Sequence, residues 1–202
     1  MDFVTAIEAG LDFPIAFQDR DSLKRWATSE SLNLHEVGNH DLYKSVMLLE
    51  GYRPVFEDGN RYYSQIWVRS NFTRYRKSII RHLIQSNDVL QGVNHYDADH
   101  AVEKSRLSQY WPDAWVNLTL VNFSINRSIG TMLEKTPLDI DENTVRIDAN
   151  LEFLIKILYP GQDILSKTRL QEYFDVVCKS FLEEAHDLES FVFVNNANGF
   201  LD

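Results

Sequence analysis

Apolar residues recur at helical spacing over 19–30 (DRDSLKRWATSE) and 40–50 (HDLYKSVMLLE), so both segments read as short helices. The turn-forming runs at 51–54 and 57–60 flank a short extended segment. The aromatic and β-branched run 61–68 (RYYSQIWV) completes a hairpin. From Thr73 to Leu90 an amphipathic helix is marked by Tyr75, Ile79, Ile80, Leu83, Ile84 and Leu90, with Arg74, Arg76, Lys77 and Arg81 outward and Gly92 as its stop. A strand near 93–102, a loop through Trp111-Pro112-Asp113, a second strand at 115–121 and a helix from Phe123 or Ser124 follow. That is β-β-α, with Asn122 or Ser124 able to cap the helix. Residues 150–158 and 165–189 read as helices separated by the Pro-Gly break at 159–162, and the tail offers a short strand.

The expected fold class is therefore α+β: a mostly helical protein carrying a central ββα element. Three regions are expected to pack as one compact unit. They are a helical and hairpin region over 1–92 with a basic lead-in helix, a ββα core over 93–137, and an acidic helical region over 138–202.

A chain of 202 residues, 44% hydrophobic, can bury one substantial core. Its apolar runs stop short of the roughly 18–20 residues a membrane span needs, so no membrane partner is expected. The N-terminus lacks a basic stretch ahead of its apolar residues and does not read as a signal peptide. The single cysteine, Cys178, excludes an internal disulfide and a zinc ribbon. Phe174, Val177 and Phe181 around it suggest a buried thiol, and a reducing cytoplasm is the simplest compartment. N-x-[ST] matches at Asn71, Asn117, Asn122 and Asn126 read as chance.

The net charge of −10 at first argues against a nucleic-acid partner, but its distribution does not. Residues 1–60 are net −6 and residues 138–202 net −8, whereas 61–137 are net +4. A basic central band can approach phosphates, and the acidic flanks could dock a basic protein partner.

Within that band lies the stretch that carries chemistry: Asp97-x-Asp99-His100, then Asn117-Leu118, then Asn126-Arg127. Hydrolysing a phosphodiester needs a water deprotonated near neutral pH and a cation against the developing charge. His100 is the candidate general base, since imidazole titrates near neutrality. Asp99 offers a hard oxygen ligand and Asn126 a neutral one. A helix packed across the hairpin could bring the two to one ion, and an all-oxygen site suits Mg²⁺ or Mn²⁺.

This pattern resembles the HNH, or ββα-metal, nuclease signature, and is especially similar to the HNH domain of RNA-guided CRISPR nucleases and to phage junction-resolving nucleases. The resemblance covers about a fifth of the chain. It implies a divalent-metal-dependent endonuclease with one Mg²⁺ or Mn²⁺ ion and DNA preferred over RNA. By it, His100 would be the base, Asp99 and Asn126 metal ligands, and Asn117 the residue that braces the loop and orients the His backbone. Asp97 matches an extra carboxylate, and strand alternation puts it on the same side as Asp99. Three departures stand out: no Pro follows the Asp-His, Gly130 stands where a colicin-like branch places a His, and the bracing zinc cysteines are missing.

Arg127, Lys104 and Arg106 are candidate phosphate contacts, Arg127 foremost because a guanidinium can hold a phosphate through paired hydrogen bonds. Trp111 and Trp115 read as loop anchors in a core rather than base-stacking residues. His95 reads as a strand-surface residue. The competing expectation is a non-enzymatic acidic binding protein of the immunity, inhibitor or adaptor type, with a merely structural ββα element. An RNase using the same site is a third.

Overall fold

The computed structural model describes residues 13–37, 44–55, 59–79, 96–132, 138, 140–149, 153, 156 and 157. Its framework is a curled antiparallel sheet, a half-barrel, with short helices packed on it. The strands are β1 (Pro14–Phe17), β2 (Asn33–Glu36), β3 (Val46–Val55), β4 (Gly59–Arg69), β5 (Tyr96–His100), β6 (Trp115–Asn122) and β7 (Arg146–Asp148). The labelled helices are α1 (Arg20–Ser29), α2 (Lys104–Leu107) and α3 (Phe123–Met132).

This corrects the expectation of a mostly helical protein. Of the segment 40–50, residues 46–50 supply the first half of β3, and 40–43 lie outside the described residues. Neighbours on both sides decide it: β2 pairs one edge of β3 and β4 the other, so ladder hydrogen bonds outweigh a weak helix preference. The run 51–54, expected as a turn, continues the same strand. Gly51 lets Leu32 pack closely there, since a Cβ would lie 2.7 Å from Leu32 Cδ2 and that side chain would have to shift. The hairpin itself is present, its turn falling between Val55 and Gly59. Strands β1, β2 and β7 have three or four residues each, too short to show a period.

The helix expected over 19–30 is α1. Asp19 caps it by accepting from the Ser22 N–H at 2.7 Å. Its end turns through Ser31 at φ 58°, where Leu32 N–H bonds Ala27 O at 2.8 Å and Ser31 N–H bonds Thr28 O at 3.1 Å. That paired closure is the usual way a helix satisfies its last carbonyls.

Strand β6 is central and buried on both faces. One edge pairs with β4 through residues 115–118. The other edge is shared, with β1 opposite 115–116 and β5 opposite 118–122. One sheet face packs Phe17, Trp67 and Trp115 against Leu23 and Trp26 of α1. The Phe17 ring lies 5.3 Å from Trp67 and 5.6 Å from Trp26. Trp111, Phe13 and Phe153 close this core, so Trp111 and Trp115 are indeed core anchors. The opposite face gathers Val46, Ile66, Val68, Ala98 and Leu118 beneath Ile79.

Of the helix expected over 73–90, residues 75–79 are helical, Thr73 and Arg74 precede the helix, and 80–90 lie outside the described residues, as do the expected helix at 165–189 and the tail. No helix among the described residues is long and apolar enough to cross a membrane.

Candidate functional site

The β-β-α arrangement falls where the sequence places it: β5, β6, then α3 directly after. Asn122 Oδ1 accepts the Ser124 N–H at 2.9 Å, capping the helix start. Helix α3 packs on both strands of the hairpin.

Register fixes what each face carries. Asp97 stands opposite Val121, Asp99 opposite Thr119 and His100 opposite Leu118. Side chains alternate along a strand, so Asp97, Asp99, Thr119 and Asn117 share one face while Ala98, His100 and Leu118 share the other. The contacts agree. On the first face Lys156 Nζ donates to Asp99 Oδ2 at 2.9 Å, and Arg127 Nε lies 3.8 Å from Asp97 Oδ2. On the second, the His100 ring is 4.4 Å from the ring of Tyr75.

The carboxylate face therefore holds Asp97 and Asp99 with Arg127 reaching Asp97, while Asn126, the residue before Arg127 on α3, is half-buried. Arg127 is exposed, and its guanidinium rests 5.1 Å over the Phe123 ring, so only loose contacts restrain it. Asn117 is buried. Its backbone oxygen accepts the Ala101 N–H at 2.9 Å, bracing the residue just after His100. Its Nδ2 has no hydrogen-bond partner among the described residues, and neither has Thr119 Oγ1.

His100 is not brought to this face. Only 8% exposed, it sits among apolar groups with Nε2 buried and without a hydrogen-bond partner among the described residues. Burial first, then the charges of Lys104 and Lys156, push its pKa down to about 4. The ring is neutral at ordinary pH, the form a base requires, but its basicity is low. Tyr75 beside it is pushed up by burial and by the Asp99 and Asp97 carboxylates. Lys104 is exposed and Arg106 half-buried, both in the stretch that leaves β5. In the basic lead-in segment Arg74, Arg76 and Lys77 are exposed, and Arg76 donates to Tyr96 O at 2.9 Å.

No cluster of three or more His, Cys, Asp or Glu suited to a metal occurs among the described residues. The donors that do share a face are oxygens: two carboxylates and the buried hydroxyl of Thr119, which has no hydrogen-bond partner among the described residues. Oxygen donors are the kind that a hard cation such as Mg²⁺ or Mn²⁺ takes, with waters completing its shell.

Sequence reasoning missed Thr119, Tyr75 and Lys156. Lys156 left a readable signal, a cation three residues after Phe153 and next to Ile157 on the apolar side of a helical stretch. Buried lysines of that kind mark a partner carboxylate.

The chain matches no protein-family model, no curated protein and no solved structure.

Proposed function

We propose that this chain is a divalent-metal-dependent endonuclease of the HNH type that hydrolyses phosphodiester bonds of DNA. The observation that carries the reading is the carboxylate face of the hairpin. Asp97 and Asp99 project from alternate positions of β5 on the face of Thr119, whose hydroxyl has no hydrogen-bond partner among the described residues, and α3 brings Arg127 to Asp97. Asp99, Asp97 and Asn126 would hold one Mg²⁺ or Mn²⁺. When bound, the ion would neutralise charge on the phosphate and its leaving oxygen.

Arg127 is exposed enough to leave Asp97 for a phosphate oxygen, and Lys104 and Arg106 extend the basic path along the strand exit. Asn117 holds the end of β5 through the Ala101 N–H. His100 is the base of this reading, and it must first leave Tyr75 for the carboxylate face. It stands at the last position of β5, and the chain bends at residues 101 and 102 just after it.

A second reading draws on that same placement. With His100 and Asp99 on opposite faces and Asp99 already paired to Lys156, the ββα element can serve as scaffold in a non-enzymatic binding protein. The acidic flanks would then meet a basic partner.

Plasmid cleavage in millimolar Mg²⁺ or Mn²⁺ separates the two. The nuclease reading expects cleavage that EDTA abolishes reversibly and that His100→Ala and Asp99→Ala lose while remaining folded. Cleavage unchanged in His100→Ala removes the histidine from the mechanism. Absence of both cleavage and any metal-linked rise in melting temperature favours the binding protein. An RNA substrate run in parallel tests the choice of DNA.

A further inference from the structure

Lys156 is 2% exposed, and its ammonium meets a carboxylate that the nuclease reading assigns to a metal. An ammonium is rarely taken out of water unless a partner and hydrogen bonds compensate. At 2.9 Å, the Asp99 contact is such a charge-assisted bond. The lysine is delivered by a well-anchored stretch. Phe153, fully buried, stacks on Phe13 at 6.1 Å between centroids, and Ile157 packs on the same core. On the strand opposite Asp99, Thr119 Oγ1 is a buried oxygen with no hydrogen-bond partner among the described residues.

We infer that Lys156 is a built-in cation at the Asp99 position, which a divalent ion must displace to bind there. The inference rests on reading the carboxylate face as an ion site. A hard divalent ion bonds a carboxylate oxygen at roughly 2.0–2.1 Å for Mg²⁺, closer than the ammonium stands now. Two cations drawn to one carboxylate in a poorly hydrated setting repel each other strongly. Ion binding and the Lys156–Asp99 contact are therefore alternatives, and Lys156 becomes a control element for the hairpin rather than a passive buttress. The wild-type site would take a divalent ion weakly, and release of Lys156 would accompany loading.

Two measurements on the full chain test this, with Mn²⁺ alone as the probe. In calorimetric titration, Lys156→Met should bind Mn²⁺ about tenfold or more tightly than wild type, since one opposing charge is gone. The gain should vanish in Lys156→Met combined with Asp99→Asn. In wild type, amine-acetylation footprinting read by mass spectrometry should show Lys156 protected without Mn²⁺ and more reactive with it. That second arm needs no variant to fold. Lys156→Met binding Mn²⁺ no more tightly than wild type, or acetylation of Lys156 unmoved by saturating Mn²⁺, overturns the inference. The outcomes also separate it from the nuclease reading. Tight Mn²⁺ binding by Lys156→Met with no DNA cleavage by either protein leaves Lys156 as the competing cation and removes the nuclease. Metal-dependent cleavage by wild type, with no change in Mn²⁺ affinity on losing Lys156, does the reverse.

Discussion

Asp99 and His100 are adjacent in the chain and lie back to back on β5. A carboxylate oxygen of Asp99 is 2.9 Å from Lys156 Nζ on one face, and the His100 ring is 4.4 Å from Tyr75 on the other. One side holds a paired carboxylate and the other a buried ring, and the charges of the first are felt by the second.

His100 gives the chain an acid-sensitive element. Its folded pKa of about 4 lies below the ordinary 6.5, so between those values the unfolded chain binds the extra proton. Stability is whole above about pH 6.5 and falls as the pH approaches 4, by up to about 3 kcal/mol. Urea unfolding across that window should show the slope, and His100→Leu should flatten it. An unchanged slope would place the acid sensitivity elsewhere.

The Asp99–Lys156 pair should be asymmetric. Asp99→Ala leaves a buried ammonium without this partner and should cost on the order of 3 kcal/mol. Lys156→Met replaces the ammonium by an apolar chain of similar length and leaves the partly exposed Asp99 carboxylate within reach of water, so it should cost less, about 1 kcal/mol. Denaturant midpoints at neutral pH give both values, and equal losses from the two substitutions would contradict this account.

Arg127 is exposed and loosely held, so Arg127→Ala should change stability by less than about 0.5 kcal/mol. On the nuclease reading it should weaken DNA binding and lower the salt dependence of that binding by about one phosphate contact. Fluorescence anisotropy over a salt series reads both, and an unaltered slope takes Arg127 off the DNA path.

Ser31 occupies a left-handed conformation, φ 58°, that costs a side-chain-bearing residue about 1 kcal/mol. Ser31→Gly should therefore raise stability by about 0.5–1 kcal/mol, visible as a higher melting temperature with the α1 closure intact. A lowered melting temperature would mean that the Ser31 side chain has a stabilising role.

The hairpin and its helix were legible because several local signals agree there. Asn122 is a strong capping residue, the run 115–121 is rich in Val, Leu and Trp, and the Asp-x-Asp spacing follows the two-residue period. Helix α1 was legible through Asp19 and its apolar stripe. The sheet as a whole was not. The run 46–50 has helix-favouring residues and becomes β3 only because β2 and β4 flank it, information held some fifteen to twenty residues away in the chain. At the site, the spacing grouped Asp97 with Asp99 correctly. The same alternation puts His100 across the strand from them, and the family pattern alone does not reveal that separation. Lys156 lies 57 positions from Asp99, beyond any local period.

Strand β6 also sets the order in which the molecule can be assembled. β1 reaches its partner only across about a hundred residues, and β4 waits some fifty for the same strand. A nascent chain that has not yet released 115–122 therefore leaves β1 and β5 without a partner strand and one edge of β4 open. Such edges are templates for pairing with other chains, so fragments ending before Trp115 should self-associate. Closure of these long loops should also make folding slow for a protein of this size.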